Sequence, residues 1–167
     1  MLRKNLSSLF LLFVISIVFM SCDEKRVYDS YKSLPERWHK DSVAVFQFTA
    51  PDTTSQYNLY LNLRNNHKYP YNNLFLITKL IYPHGKTIQD TLEYKMAAPN
   101  GELLGSGFAD IKENKLWYKG YNNPFIFEES GNYILEVQHA MRHNGEVEGV
   151  LFLEGITDVG FRIEDKN

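Results

Sequence analysis

Apolar and polar residues alternate along most of this chain with the period of an extended strand. Residues 57–64 are the clearest case, with Tyr57, Leu59, Leu61 and Leu63 on one side and Asn58, Tyr60, Asn62 and Arg64 on the other. A period of two places one face on a core and the other in water, so this run predicts a half-buried antiparallel strand. Residues 73–82 are apolar at nearly every position, and Ile77, Thr78 and Ile81 favour extended structure. They predict a strand covered on both faces. Further strands are expected at 43–48, 87–95 and 132–142, the last with Tyr133, Leu135, Val137, His139 and Met141 on a common face. Shorter extended pieces fit 116–119, 125–127, 149–153 and 160–164, and residues 108–115 suit a short helical turn. Turn residues such as Pro83-His84-Gly85-Lys86 punctuate these runs. Many short strands without a long pattern of period 3.6 after residue 22 predict an all-β fold, a single antiparallel β-sandwich, with a small closed barrel as the competing arrangement.

One stretch breaks the alternation. Residues 9–20 hold a single polar group, Ser16, and follow a start that carries Arg3 and Lys4. A basic start followed by a short apolar run is the pattern of an export signal, and the run falls short of the roughly 20 residues that span a bilayer. It ends at Phe19-Met20-Ser21-Cys22, which resembles a bacterial lipobox with Ser21 before the only cysteine of the chain. In that motif a diacylglyceryl group is joined to the thiol and the signal is removed in front of it. The expected organisation is therefore a lipoprotein signal peptide at 1–21, a lipid-anchored tether and N-terminal arm at 22–42, and the sandwich domain at 43–167. The mixed charges of residues 23–26 suit a solvated tether, and Trp38 is expected to pin the arm to the core.

Composition narrows the chemistry. Loss of Arg3 and Lys4 with the signal takes the formal charge from -2 to -4, which argues against nucleic acid as a partner. With Cys22 acylated no thiol remains for a disulfide, so the domain must hold together by packing, for which its 14% aromatic content is ample. Gly101, Gly105 and Gly107 match neither a dinucleotide fingerprint nor a phosphate loop, and Ser106 lacks the flanking pattern of a nucleophile elbow. Glu136, His139 and His143 would converge on a helix but diverge on a strand. Asp158 suits turn capping better than calcium, which wants six or more oxygens. No catalytic residue, cofactor site or metal site is expected, and no small-molecule substrate. What remains is surface recognition by Tyr60, Tyr69, Tyr71, Tyr118 and Tyr121 among many asparagines. Tyr69, Pro70 and Tyr71 form the candidate partner-binding surface, because proline stiffens the loop between the two rings. Equally, the rings could fold back to seal one end of the sandwich.

Five blocks in order carry a family resemblance: the lipobox at Cys22, residues 61–76 (LNLRNNHKYPYNNLFL), 105–112 (GSGFADIK), 138–142 (QHAMR) and 155–164 (GITDVGFRIE). Together they resemble the gliding-motility-associated lipoprotein family GldH. The resemblance implies a lipid-anchored protein of the bacterial cell envelope, attached to either the inner or the outer membrane through acyl chains on Cys22. It implies a role in gliding motility and the associated type IX secretion machinery, other envelope proteins as partners, and no reaction. The alternative from another class is a lipid-anchored carbohydrate-binding module using the tyrosine and asparagine loops.

Overall fold

The computed structural model describes residues 23–35, 37–107 and 109–166. The expected signal segment and Cys22 lie outside the described residues. Within them the chain forms β1 (Arg26–Ser33), β2 (Arg37–His39), β3 (Ala44–Thr49), β4 (Tyr57–Asn65), β5 (Asn73–Ile81), β6 (Thr87–Lys95), β7 (Lys112–Lys119), β8 (Asn132–His139), β9 (Phe152–Glu154) and β10 (Ile156–Asp165). No described residue is helical, so among the described residues no helix is long and apolar enough to cross a membrane.

Two four-stranded sheets face one another, in the orders β1-β10-β4-β7 and β3-β8-β5-β6, and β2 pairs with β9 in a small third sheet. Every ladder is antiparallel. The expected β-sandwich is therefore the fold. Leu59, Leu61 and Leu63 of β4, with Val159, Phe161 and Ile163 of β10, form one wall of the core. Leu74, Leu76 and Leu80 of β5, with Tyr133, Leu135 and Val137 of β8, form the other. Phe48 joins the layers, with ring centroids 5.1 Å from Phe161 and 5.7 Å from Tyr133. Each large apolar side chain buried this way contributes about 1.5–3 kcal/mol, which explains how packing without a disulfide suffices. The open edges are tied across the sandwich by side chains. The Tyr94 hydroxyl of β6 donates to the Trp117 carbonyl of β7 at 2.6 Å, and Lys119 pairs with Asp90 at 2.8 Å.

Several expectations differ from this arrangement, among them the strand at 125–127, where only Phe125 bridges Tyr57. Strand β4, expected to show one face to water, buries Tyr60 and Asn62 as well. Its outer face is covered: Lys115 lies over the Tyr60 ring at 4.1 Å, Trp117 packs at 4.4 Å, and Asn62 donates to the Tyr31 hydroxyl at 2.9 Å. Strand β5, expected to be covered on both faces, buries Leu74, Leu76, Thr78 and Leu80 and leaves Phe75, Ile77 and Ile81 half-buried on the outside. The helical turn expected at 108–115 is replaced by a turn at 109–110 leading into β7. There Asn114 is buried because its amide donates to Asn65 at 2.8 Å across the ladder. Finally, the arm contributes β1 to a four-stranded sheet, because Tyr28 packs on Phe48 and Phe161 and joins the core; Trp38 of β2 is fully buried, in line with its expected role of pinning the arm.

Candidate functional site

The register of the strands gives the sandwich two poles. One is marked by Arg26, Tyr57, Lys119 and Asp165, the other by Ser33, Asn65, Lys112 and Ile156. Eight steps of β4 at about 3.3 Å separate them, roughly 27 Å.

At the second pole lies a groove of about 760 Å³, within the usual size range of ligand pockets. Phe75 and Ile77 of β5 supply apolar floor, Gln138 comes from β8, and Lys40, Asp41, Arg142, His143 and Glu146 supply charged and polar walls. The wall after β8 is held in shape by main-chain bonds. Val150 donates to the Met141 carbonyl at 2.8 Å, Arg142 bridges Gly149, and the Phe75 N–H meets the Met141 sulfur at 3.2 Å. Apolar floor with mixed-charge walls suits a peptide or protein surface better than a small charged ligand.

The structure divides the three residues expected to form a partner surface. Tyr69 is buried, its hydroxyl donating to the Asn73 carbonyl at 2.6 Å, so its ring is not displayed. Gly155 makes this possible: it turns at φ 80°, and a side chain there would come within 2.2 Å of the Tyr69 nitrogen. Burial pushes the Tyr69 phenol well above its ordinary value. Pro70 stays exposed and Tyr71 half-buried, with the Tyr71 hydroxyl 3.4 Å from His143 Nδ1 on the groove wall. Tyr71 thus reaches the groove wall, and Tyr69 seals the end of the core.

The remaining chemical candidates separate. His139 is buried, and its Nε2 lies 3.1 Å from the Trp38 carbonyl. Nε2–H donates there, and burial holds the ring's pKa below the usual histidine value despite that bond. Glu136 points to the other side of β8 and pairs with Lys79 at 3.5 Å. Among the described residues no group of three or more His, Cys, Asp or Glu is placed to hold a metal ion. Asp158 accepts from Ser33 and Thr157 at 2.8 and 2.9 Å, a local structural role.

The first pole carries the start of the described chain. Arg162, only 13% exposed, reaches Asp29 at 3.0 Å, Glu164 at 2.6 Å and also Asp23. The Lys25 carbonyl accepts from Asp165 N–H at 2.8 Å. The tether stays exposed at residues 23–26 and is also clasped to the body, because three carboxylates converge on one guanidinium that can answer them.

Similarity to known proteins places the chain in a family. A profile described as GldH lipoprotein matches residues 26–163. The chain is 56% identical over 161 residues to a gliding motility lipoprotein GldH homolog of Christiangramia forsetii, covering 96% of this chain and 97% of that protein. The chain belongs to the GldH lipoprotein family. The gliding motility lipoprotein GldH of Flavobacterium johnsoniae is 51% identical over 157 residues, covering 94% of this chain and 96% of its own length. A GldH lipoprotein is named for gliding motility and not for a reaction, so this chain is a gliding-motility lipoprotein of the cell envelope. One solved structure, the VP2 subviral particle of infectious bursal disease virus, aligns with a TM-score of 0.37 and 17% identity, over 87% of this chain and 34% of that one. That likeness carries no argument.

Two features of this GldH sandwich escape a reading of the sequence: the groove and the Arg162 clasp. His143 and Arg142 follow the last alternating residue of β8, and nothing local says that their loop folds back onto β5. Arg162 and Asp29 are 133 positions apart, and the only hint is that charged residues occupy the outward positions of two strands that turn out to be neighbours.

Proposed function

We propose that this protein is a non-catalytic component of the gliding and type IX secretion machinery that holds other envelope proteins at a membrane. The anchor is a set of acyl chains on Cys22, which confine the domain to a surface and raise its effective concentration for partners there. The binding element is the groove at the pole away from the tether, with Tyr71 on its rim and Pro70 next to it in the chain. The apolar floor of Phe75 and Ile77 carries this reading, since half-buried apolar side chains on an outer sheet face gain most from being covered by protein.

The glycan-binding alternative has less support. Stacking on a sugar needs a flat ring face, whereas Tyr69 is buried and the exposed pair Trp117 and Tyr121 meets edge to face at 64°. Two measurements test the proposal. A Cys22→Ala protein should fold, leave the membrane fraction and fail to support gliding; normal gliding with a soluble variant removes the anchor. A photo-cross-linking residue at Tyr71 in living cells should capture one or a few defined envelope proteins, and the same residue at Gln89 on β6 should not. Equal, non-selective capture from both positions rejects the groove.

A further inference from the structure

The clasped tether fixes how the body must sit if Cys22 bears lipid. Across the first pole runs a row of main-chain bonds: Asp165 N–H to the Lys25 carbonyl at 2.8 Å, Lys166 N–H to Gln56 at 3.0 Å, and Tyr57 N–H to the Phe125 carbonyl at 2.8 Å. Asp165 lies opposite Tyr57 in the ladder. With strands about 4.8 Å apart, three steps put Phe125 about 15 Å from Lys25. The Arg26 N–H bonds to the Asp23 carbonyl at 3.1 Å, and the Asp23 carboxylate is held by Arg162. Cys22 is the next residue, and consecutive Cα atoms are about 3.8 Å apart. Acyl chains on Cys22 would begin within one residue of the folded body, with no slack to lift it from the bilayer.

The same pole exposes apolar and amphipathic side chains. Tyr121 is 70% exposed, Ile126 41% and Trp117 38%, with the Trp117 and Tyr121 rings 5.2 Å apart. We propose that the loop 120–126 is a membrane-contacting surface in which Tyr121 and Ile126 enter the headgroup layer beside the lipidated end. The proposal deepens the anchoring half of the proposed function and rests on it. Tyrosine rings settle at the headgroup level because one end is apolar and the other wet. Several ionic groups of this pole are paired, Lys86 with Glu128 at 2.5 Å, His84 with Glu129 at 2.9 Å and Lys119 with Asp90 at 2.8 Å, and the other charges there, Lys25, Arg26 and Lys166 against Glu24, Asp52 and Asp165, balance. Contact therefore needs no anionic lipid, and the groove is presented at the opposite pole, away from the bilayer.

The test uses the full lipidated protein in vesicles of zwitterionic phosphatidylethanolamine and phosphatidylcholine. Its one cysteine is blocked by lipid, so Tyr121→Cys, and separately Ile126→Cys, each provides one thiol for an environment-sensitive fluorophore. Val147→Cys, at a position 87% exposed in the loop that walls the groove, is the control. Labels at 121 and 126 should shift to the blue and lose most of their emission to lipids carrying a headgroup-level quencher, while the label at 147 stays water-like. Labels at 121 and 126 that are as water-like as the one at 147, with Cys22 acylated by mass spectrometry of the N-terminal peptide, overturn this contact and leave the anchor standing. An unmodified Cys22 overturns both.

Discussion

Gly160 shows how one residue shapes the outer face of the first sheet. A methyl group there would lie 2.7 Å from the Tyr31 ring and 3.1 Å from Asn62 Cβ. Glycine lets the ring lie flat on the strand, where its hydroxyl donates to Glu113 at 3.0 Å and Arg64 stacks at 4.3 Å. Gly160→Ala should cost about 1–3 kcal/mol in denaturant unfolding. The cost should shrink in a Tyr31→Ala background, and a double-mutant cycle measures the difference. The same ring gives a pH dependence. Burial, then Glu113, pushes the Tyr31 phenol up to about 12, and burial with Asp52 does the same for Tyr57. Both phenols are protonated in the folded state at a pH where the unfolded chain, near 10, has begun to ionise. Their stabilisation is complete below about pH 10 and is lost as pH rises towards 12. Tyrosinate absorbance should therefore rise together with loss of the near-ultraviolet circular dichroism of the core. On the acid side burial raises Glu164, but Lys115 and Arg162 outweigh it and hold the carboxyl below its usual value. That stabilisation is present above about pH 4.3 and fades as pH falls through the folded value.

Strands β4 and β5 make the corresponding point for elements. From alternation alone β4 reads as half wet and β5 as covered on both sides; in the fold the two are exchanged. Polar side chains at Asn62 and Arg64 signal water only when nothing lies above them. Here a cap of Tyr31, Trp117 and Lys115 arrives from strands distant in sequence. Strand period and most strand positions from 44 to 139 were legible because they depend on neighbours within a few residues. Pairing order and what covers an outer face were not, because they depend on residues about 30 or more positions away. The same limit explains the candidate surface: a stiff Tyr69-Pro70-Tyr71 loop is visible in the sequence, but the Gly155 turn that buries Tyr69 comes from another segment. Amide hydrogen exchange checks the reassignment of β4. Amides of β4 and β10, paired on both sides and covered on both faces, should exchange more slowly than those of the edge strand β6. Equal protection would contradict the cap.

For the whole molecule the decisive feature is polarity, with the start of the described chain, where the proposed anchor would attach, at one pole and the groove roughly 27 Å away along the strands. An anchor at one end and a receptive surface at the other suit a part that stands between a bilayer and a protein assembly. The bond from Asp165 N–H to the Lys25 carbonyl has a practical outcome for imaging. If the proposed anchor holds, a fluorescent reporter joined after Lys166 would emerge beside Lys25, wedged between body and bilayer, and should weaken motility in a colony-spreading assay. Inserted at Gly145, where space is open, the same reporter should leave folding and membrane fractionation intact and place its chromophore on the far side of the protein.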